Sequence, residues 1–102
     1  MDRIQTIQTL LAKSPNDVFL HYSLAMEYVA AERLDEAVAA FETCITLDGG
    51  YLPAYVEAGK SLRSAGRLDE AREMFQRAME LAQAKGEHHT ADYVRQQLEG
   101  LR

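Results

Sequence analysis

The 102-residue sequence predicts an all-α fold in which helix pairs stack in a row, and three observations carry that prediction. Leu34-Asp35-Glu36-Ala37 returns 34 residues later as Leu68-Asp69-Glu70-Ala71, and in both copies a phenylalanine, Phe41 or Phe75, follows the alanine by four positions. Apolar residues recur at helical spacing, while no segment alternates with the period of two that a half-buried strand needs. A repeat of this length is a helix pair that buries its apolar side only by stacking on a neighbour. Such a chain offers a surface for holding another molecule rather than an enclosed catalytic pocket.

The first helix is predicted over 2–13, where Ile4, Ile7, Leu10 and Leu11 fall at helical spacing, and Ser14-Pro15-Asn16-Asp17 then supplies a stop followed by a start. The second, over 17–31, is apolar nearly all round. The third (35–47) and fifth (69–85) open on Asp35-Glu36 and Asp69-Glu70, which complement the positive end of the helix dipole. The fourth, over 52–65, carries Pro53 in its first turn, where a missing N–H costs nothing. Gly86 suits a left-handed helix terminator. Beyond it Ala91, Val94, Leu98 and Leu101 make one stripe on a sixth helix, 88–101, read as a cap over the end of the stack.

The two copies align without gaps, Val18 to Tyr51 on Leu52 to Lys85. Small residues recur where helices must approach closely, Ala25 over Gly59 and Ala37 over Ala71. Large ones recur where a gap must be filled: Leu34 over Leu68, Phe41 over Phe75 and Leu47 over Leu81. This pattern resembles the tetratricopeptide repeat, with its aromatic, leucine-glycine and second aromatic on the first helix, alanine and an aromatic on the second, and a closing proline. His21 and Tyr55 stand at the first aromatic position, Leu24-Ala25 and Ala58-Gly59 at the leucine-glycine pair, and Tyr28 and Leu62 at the second aromatic. On the second helix Ala37 and Ala71 match the tight contact, Phe41 and Phe75 the aromatic, and Cys44 and Ala78 the next small position.

The departures are His21 for the usual aromatic and Gly49 and Gln83 for the closing proline, the latter letting the fifth helix run on. In the same register Pro15 falls on the closing proline and Ile7 on the phenylalanine position. The organisation is therefore one domain over 1–102: a degenerate half-repeat (1–17), repeats at 18–51 and 52–85, and the capping helix (86–102). The resemblance implies antiparallel helix-turn-helix repeats in a short right-handed α-solenoid of about six helices.

Composition narrows the function. Eleven basic against sixteen acidic residues give a net charge of −5 with no basic cluster, which argues against nucleic acid as a partner. Cys44 is the single cysteine, so no intramolecular disulfide forms, and its repeat position reads as a small buried hydrophobe. No apolar run approaches the ~20 residues of a membrane span. Met1-Asp2-Arg3 lacks a signal core, so a cytoplasmic location is expected. Glu87, His88, His89 and Asp92 cluster in sequence, with His88 and Asp92 on one helix face, but a metal site needs further convergent ligands that the sequence does not place. Gly49-Gly50 lacks the lysine and hydroxyl residue of a phosphate loop. Ser14, Ser23, Ser61 and Ser64 have no histidine and acid at recognisable spacing. Neither enzymatic activity nor a cofactor is expected.

The resemblance implies that the first helix of each repeat lines a concave groove. Phe19, Tyr22, Met26 and Val29 form a second apolar line on helix 17–31, away from its packing residues. On register they face the groove and are expected to be exposed in an isolated monomer, unless a terminal helix folds over them or a two-fold dimer buries them. The corresponding line in the second repeat is Pro53, Val56, Lys60 and Arg63, with Glu57 alongside, so the groove runs from apolar to basic. The expected partner is a protein or peptide segment with an apolar anchor followed by an acidic residue or free carboxylate, which Arg63 would pair. Some family members clamp the acidic tails of heat-shock chaperones with lysines and asparagines. Tyr22, Met26 and Glu57 stand at the matching positions here, which disfavours that ligand.

Overall fold

Six α-helices form in the computed structural model, which describes residues 2–101: α1 (Arg3–Lys13), α2 (Val18–Ala30), α3 (Leu34–Leu47), α4 (Leu52–Ser64), α5 (Leu68–Lys85) and α6 (His88–Gly100). Every boundary lies within one residue of the sequence expectation, because local chemistry sets the ends. Asp2 accepts the Gln5 N–H at 2.8 Å while the Gln5 side chain returns to the Asp2 N–H, a capping box that opens α1. Asp17 caps α2 through the Leu20 N–H at 3.1 Å. Gly86 takes a left-handed φ of 70° after α5, which runs 18 residues against 14 for α3, as the missing proline at Gln83 allows.

The turn inside each helix pair is closed by one device. Glu32 and Gly66 occupy left-handed backbone at φ 59° and 77°, and the following N–H groups, of Arg33 and Arg67, donate to the carbonyls of Tyr28 and Leu62 at 2.9 Å. This is the Schellman arrangement, which satisfies the last carbonyls of the first helix. Each arginine then folds back on the glutamate in the first turn of the second helix. Arg33 holds Glu36 at 2.7 and 2.6 Å and Arg67 holds Glu70 at 2.9 and 2.7 Å. These forks hold both glutamates below the usual carboxylate range. Arg67 also reaches Asp35 at 3.1 Å, tying the second turn to the first.

Consecutive helices carry the main contacts, giving a body of 41 × 28 × 19 Å. The core has two chambers, one around Phe41 and one around Phe75, and both rings are fully buried. Alanines 25, 37, 40, 54 and 58 let backbones close on the first; Ala71, Ala78, Ala82 and Ala91 do so on the second. At Gly59 a Cβ would stand 2.6 Å from Phe75 Cε1, so only glycine admits the ring where it lies. Cys44 is buried, its Sγ 3.7 Å from the Val18 carbonyl. On α6, Ala91 and Val94 are buried and Leu98 and Leu101 pack on the second chamber.

Three expectations are corrected. Leu68 and Leu47 are 47% and 37% exposed, because they sit at a helix start and a helix end, where the pair is open, rather than opposite a neighbour. In α1 no residue is fully buried and Leu10 is 47% exposed, since α1 has only α2 as a substantial neighbour. His21 is half-buried, and its Nε2 donates to the Pro15 carbonyl at 2.7 Å, holding the loop between α1 and α2 instead of filling a core position. Among the described residues no helix is long and apolar enough to cross a membrane.

Candidate functional site

The first helices of the pairs, α2 and α4, begin at Val18 and Leu52, and α6 follows at His88. Two open cavities lie along α4. The smaller, about 240 Å³, is walled by Met26 and Val29 of α2 and by Glu57, Lys60 and Arg63 of α4. The larger, about 570 Å³, lies toward α6, between Tyr51, Pro53 and Val56 on one side and His89, Thr90 and Tyr93 on the other. Asp48, Lys85 and Glu87 stand at its edge. Glu57 lines both cavities.

Five of the seven residues expected in the groove are in these cavities: Met26, Val29, Lys60 and Arg63 in the smaller, Val56 in the larger. Two are elsewhere. Phe19 is 66% exposed and lines neither cavity. Tyr22 turns inward, its ring 5.8 Å from Phe41 and 5.4 Å from Tyr51 at an edge-on angle of 76°. The apolar line is therefore not exposed as a unit: Tyr22, Met26 and Val29 are half-buried on the first chamber. The physical reason is Tyr51, which precedes α4 and supplies the ring that Tyr22 packs on. Burial, aided by the Glu57 carboxylate, pushes the Tyr22 hydroxyl up to about 12, so it remains a neutral wall.

The charges lining these cavities are not equivalent. Lys60 is neutralised by Glu57 at 3.3 Å, whose side chain is only 19% exposed. Arg63 is half-buried, 6.0 Å from the Phe75 ring centroid, and makes no ion pair among the described residues. An unpaired guanidinium can fork onto a carboxylate through two parallel hydrogen bonds.

Tyr93, Thr90, His89, Lys85 and Tyr51 were not expected in the groove. The extra turn of α5 explains most of this: α6 starts 36 residues after α4, whereas α4 starts 34 after α2. A strict 34-residue offset places Val94, a core residue, opposite Lys60 and hides Tyr93. The signal available was Gln83 in place of the closing proline. In the histidine cluster, Asp92 is held by Arg95 at 2.8 Å, and His89 and Glu87 face the larger cavity. Among the described residues no three His, Cys, Asp or Glu side chains converge in a metal-holding group.

A family model described as tetratricopeptide repeat matches residues 28–91. The solution structure of a tetratricopeptide repeat domain protein from Salinibacter ruber is similar at a TM-score of 0.79 with 25% identity, covering 86% of this chain and 89% of that one. PcrH in complex with the chaperone binding region of PopD is similar at a TM-score of 0.90 with 19% identity, covering 96% and 74%. The TPR2B domain of yeast Sti1, solved as a complex with pHsp70, is similar at 0.88 with 15% identity, covering 96% and 78%. No curated protein matches the sequence.

Proposed function

The chain belongs to the tetratricopeptide repeat family, a family of protein-interaction modules, and from that premise we propose that its concave face binds a peptide or protein segment carrying an apolar anchor and an acidic residue. The observation that carries this reading is Arg63, unpaired and half-buried beside Met26 and Val29. An apolar wall with one pre-positioned fork gives area for affinity and a charge for orientation. PcrH, solved with the chaperone binding region of PopD, and the Sti1 domain, solved as a complex with pHsp70, share the fold. For this chain an acidic tail carrying several carboxylates is the poorer candidate. Tyr22 and Met26 offer it no charge, and Glu57 opposes it.

Panning a random twelve-residue phage library on the wild-type protein, with counter-selection on a folded Arg63→Glu variant, tests the reading. Enrichment of sequences that combine an apolar and an acidic residue, lost on Arg63→Glu, is the expected result. Enrichment of basic sequences, or equal retention by the variant, overturns it. A second reading, self-association through α2, is favoured by Phe19 alone, since the rest of that line is partly covered. Light scattering across a dilution series of wild type and Phe19→Glu separates the two: only self-association gives a mass that falls with dilution and with the substitution.

A further inference from the structure

The larger cavity joins apolar walls to carboxylates that the fold leaves partly unsatisfied. Pro53, Val56, Tyr51 and Tyr93 give it aliphatic and aromatic surface, and its volume of about 570 Å³ is that of a small-molecule site. Three carboxylates line it, those of Asp48, Glu57 and Glu87, against one ammonium, that of Lys85. Lys85 is already answered: its Nζ and the Asp48 Oδ1 lie 3.7 and 3.5 Å from one point beside Gly50, the place a Cβ would take there. Glu57 keeps its Oε1 on Lys60 at 3.3 Å, and no hydrogen bond or ion pair among the described residues engages Oε2. Glu87 makes no ion pair among the described residues.

This lining selects among occupants. An anion meets two uncompensated carboxylates and is repelled. A wholly apolar molecule strips water from Glu57, whose side chain is only 19% exposed, and leaves Oε2 without a donor, the full desolvation penalty of a charged acceptor. A bare divalent ion leaves the tyrosines and the proline without a partner, and among the described residues no metal-holding group of acids or imidazoles forms. An alkylammonium answers every part. Its N–H groups donate to a carboxylate, its charge is favoured over a tyrosine face, and its carbon chain covers the apolar wall.

We propose that the cavity between α4 and α6 binds an aliphatic diamine, with one ammonium on Glu57, the other on Glu87, and the alkyl chain against Tyr51, Tyr93 and Val56. The two acids belong to different walls, Glu57 to α4 and Glu87 to the residue that precedes α6, and each has a free oxygen for its own ammonium. The net charge of −5 draws such a dication toward the protein. The site is separate from the peptide reading, whose Arg63 and Met26 line the other cavity.

Isothermal titration calorimetry of the full chain at low salt tests this with 1,5-diaminopentane, 1-aminopentane, 1-pentanol and magnesium chloride. The diamine should bind one to one and about tenfold tighter than the monoamine, the worth of one charge-assisted contact. Pentanol and magnesium should give no saturable heat. Glu87→Gln should bring the diamine down to the affinity of the monoamine and leave the monoamine unchanged, a pattern that a general loss of negative charge does not produce. Glu57→Gln should weaken both amines, and Tyr93→Ala should weaken both with the preference for the diamine kept. Circular dichroism melts establish that each variant is folded. No saturable heat from the diamine with the folded wild-type protein overturns the proposal, as does binding of pentanol or magnesium as tight as the diamine's, or a diamine affinity that survives Glu87→Gln. A short lysine-containing peptide that binds where the free diamine does not also overturns it, giving the cavity to a protein side chain instead.

Discussion

Glu32 and Gly66 occupy the same place in the two hairpin turns, and substituting each toward the other tests the repeat logic of the fold. Both residues adopt left-handed backbone, φ 59° and 77°. A side chain in that region costs roughly 1–2 kcal/mol. Glycine recovers this but gives back about 0.4–1 kcal/mol through the freer unfolded chain. The exposed Glu32 carboxylate makes no ion pair among the described residues, so its removal forfeits no contact. Glu32→Gly should therefore stabilise the protein by about 0.5–1 kcal/mol, a rise in Tm of roughly 2–8 °C for a domain of this size. Gly66→Ala is the reverse experiment. No atom lies within 4 Å of the Cβ it would add, so its cost is purely conformational, the left-handed penalty less the gain from a stiffer unfolded chain, about 0.5–1 kcal/mol in the destabilising sense. Urea unfolding followed by circular dichroism measures both, with an unchanged m-value as the sign that the surface exposed on unfolding is the same. A Glu32→Gly midpoint equal to or below wild type would refute the reasoning, because it would mean that the first turn does not hold its glutamate in the left-handed conformation.

Packing and ionisation give the remaining predictions. Gly59→Ala gains about 1 kcal/mol of helix propensity but drives a methyl to 2.6 Å from the buried Phe75 ring, an overpacking cost of roughly 1–3 kcal/mol. The net change should be destabilising, and a double-mutant cycle with Phe75→Leu should show coupling. Ala71→Leu, at a position with no exposure, should cost about 1–3 kcal/mol, while Gln76→Ala on the exposed side should stay within about 0.5 kcal/mol; equal midpoints would break the assigned register. Burial pushes the Cys44 thiol from 9.0 up to about 11, and burial with Glu57 pushes Tyr22 from 10.0 to about 12. Folding therefore favours the protonated forms. Their contribution is complete below pH 9 and is lost as pH rises through 11 to 12, so urea midpoints should fall in that window and fall less in Cys44→Ala and Tyr22→Phe. The same burial should make Cys44 slow toward a thiol reagent at neutral pH until urea opens the fold, whereas prompt reaction in the native state would contradict its placement.

The sequence by itself determined the six helices, their ends and most of the core. Each is local or periodic: Asp2 and Asp17 cap within three residues, Gly86 terminates its own helix, and Ala25, Ala37, Phe41, Ala58, Ala71 and Phe75 recur because each pair repeats the same close approach. Register also puts Arg63, Met26 and Val29 on one side of the stack, and in the structure all three line the smaller cavity. The tertiary structure decided what depends on residues distant in the chain. Tyr22 turns inward because Tyr51 meets it 29 positions later, which leaves Phe19 exposed by itself. Arg67 joins Asp35 across 32 positions. The larger cavity exists because the added turn of α5 changes the spacing between α4 and α6 and brings Tyr93 opposite Val56. Periodicity assigns a side chain to a face of its own helix; only packing decides which neighbour covers that face and where a gap is left for something else.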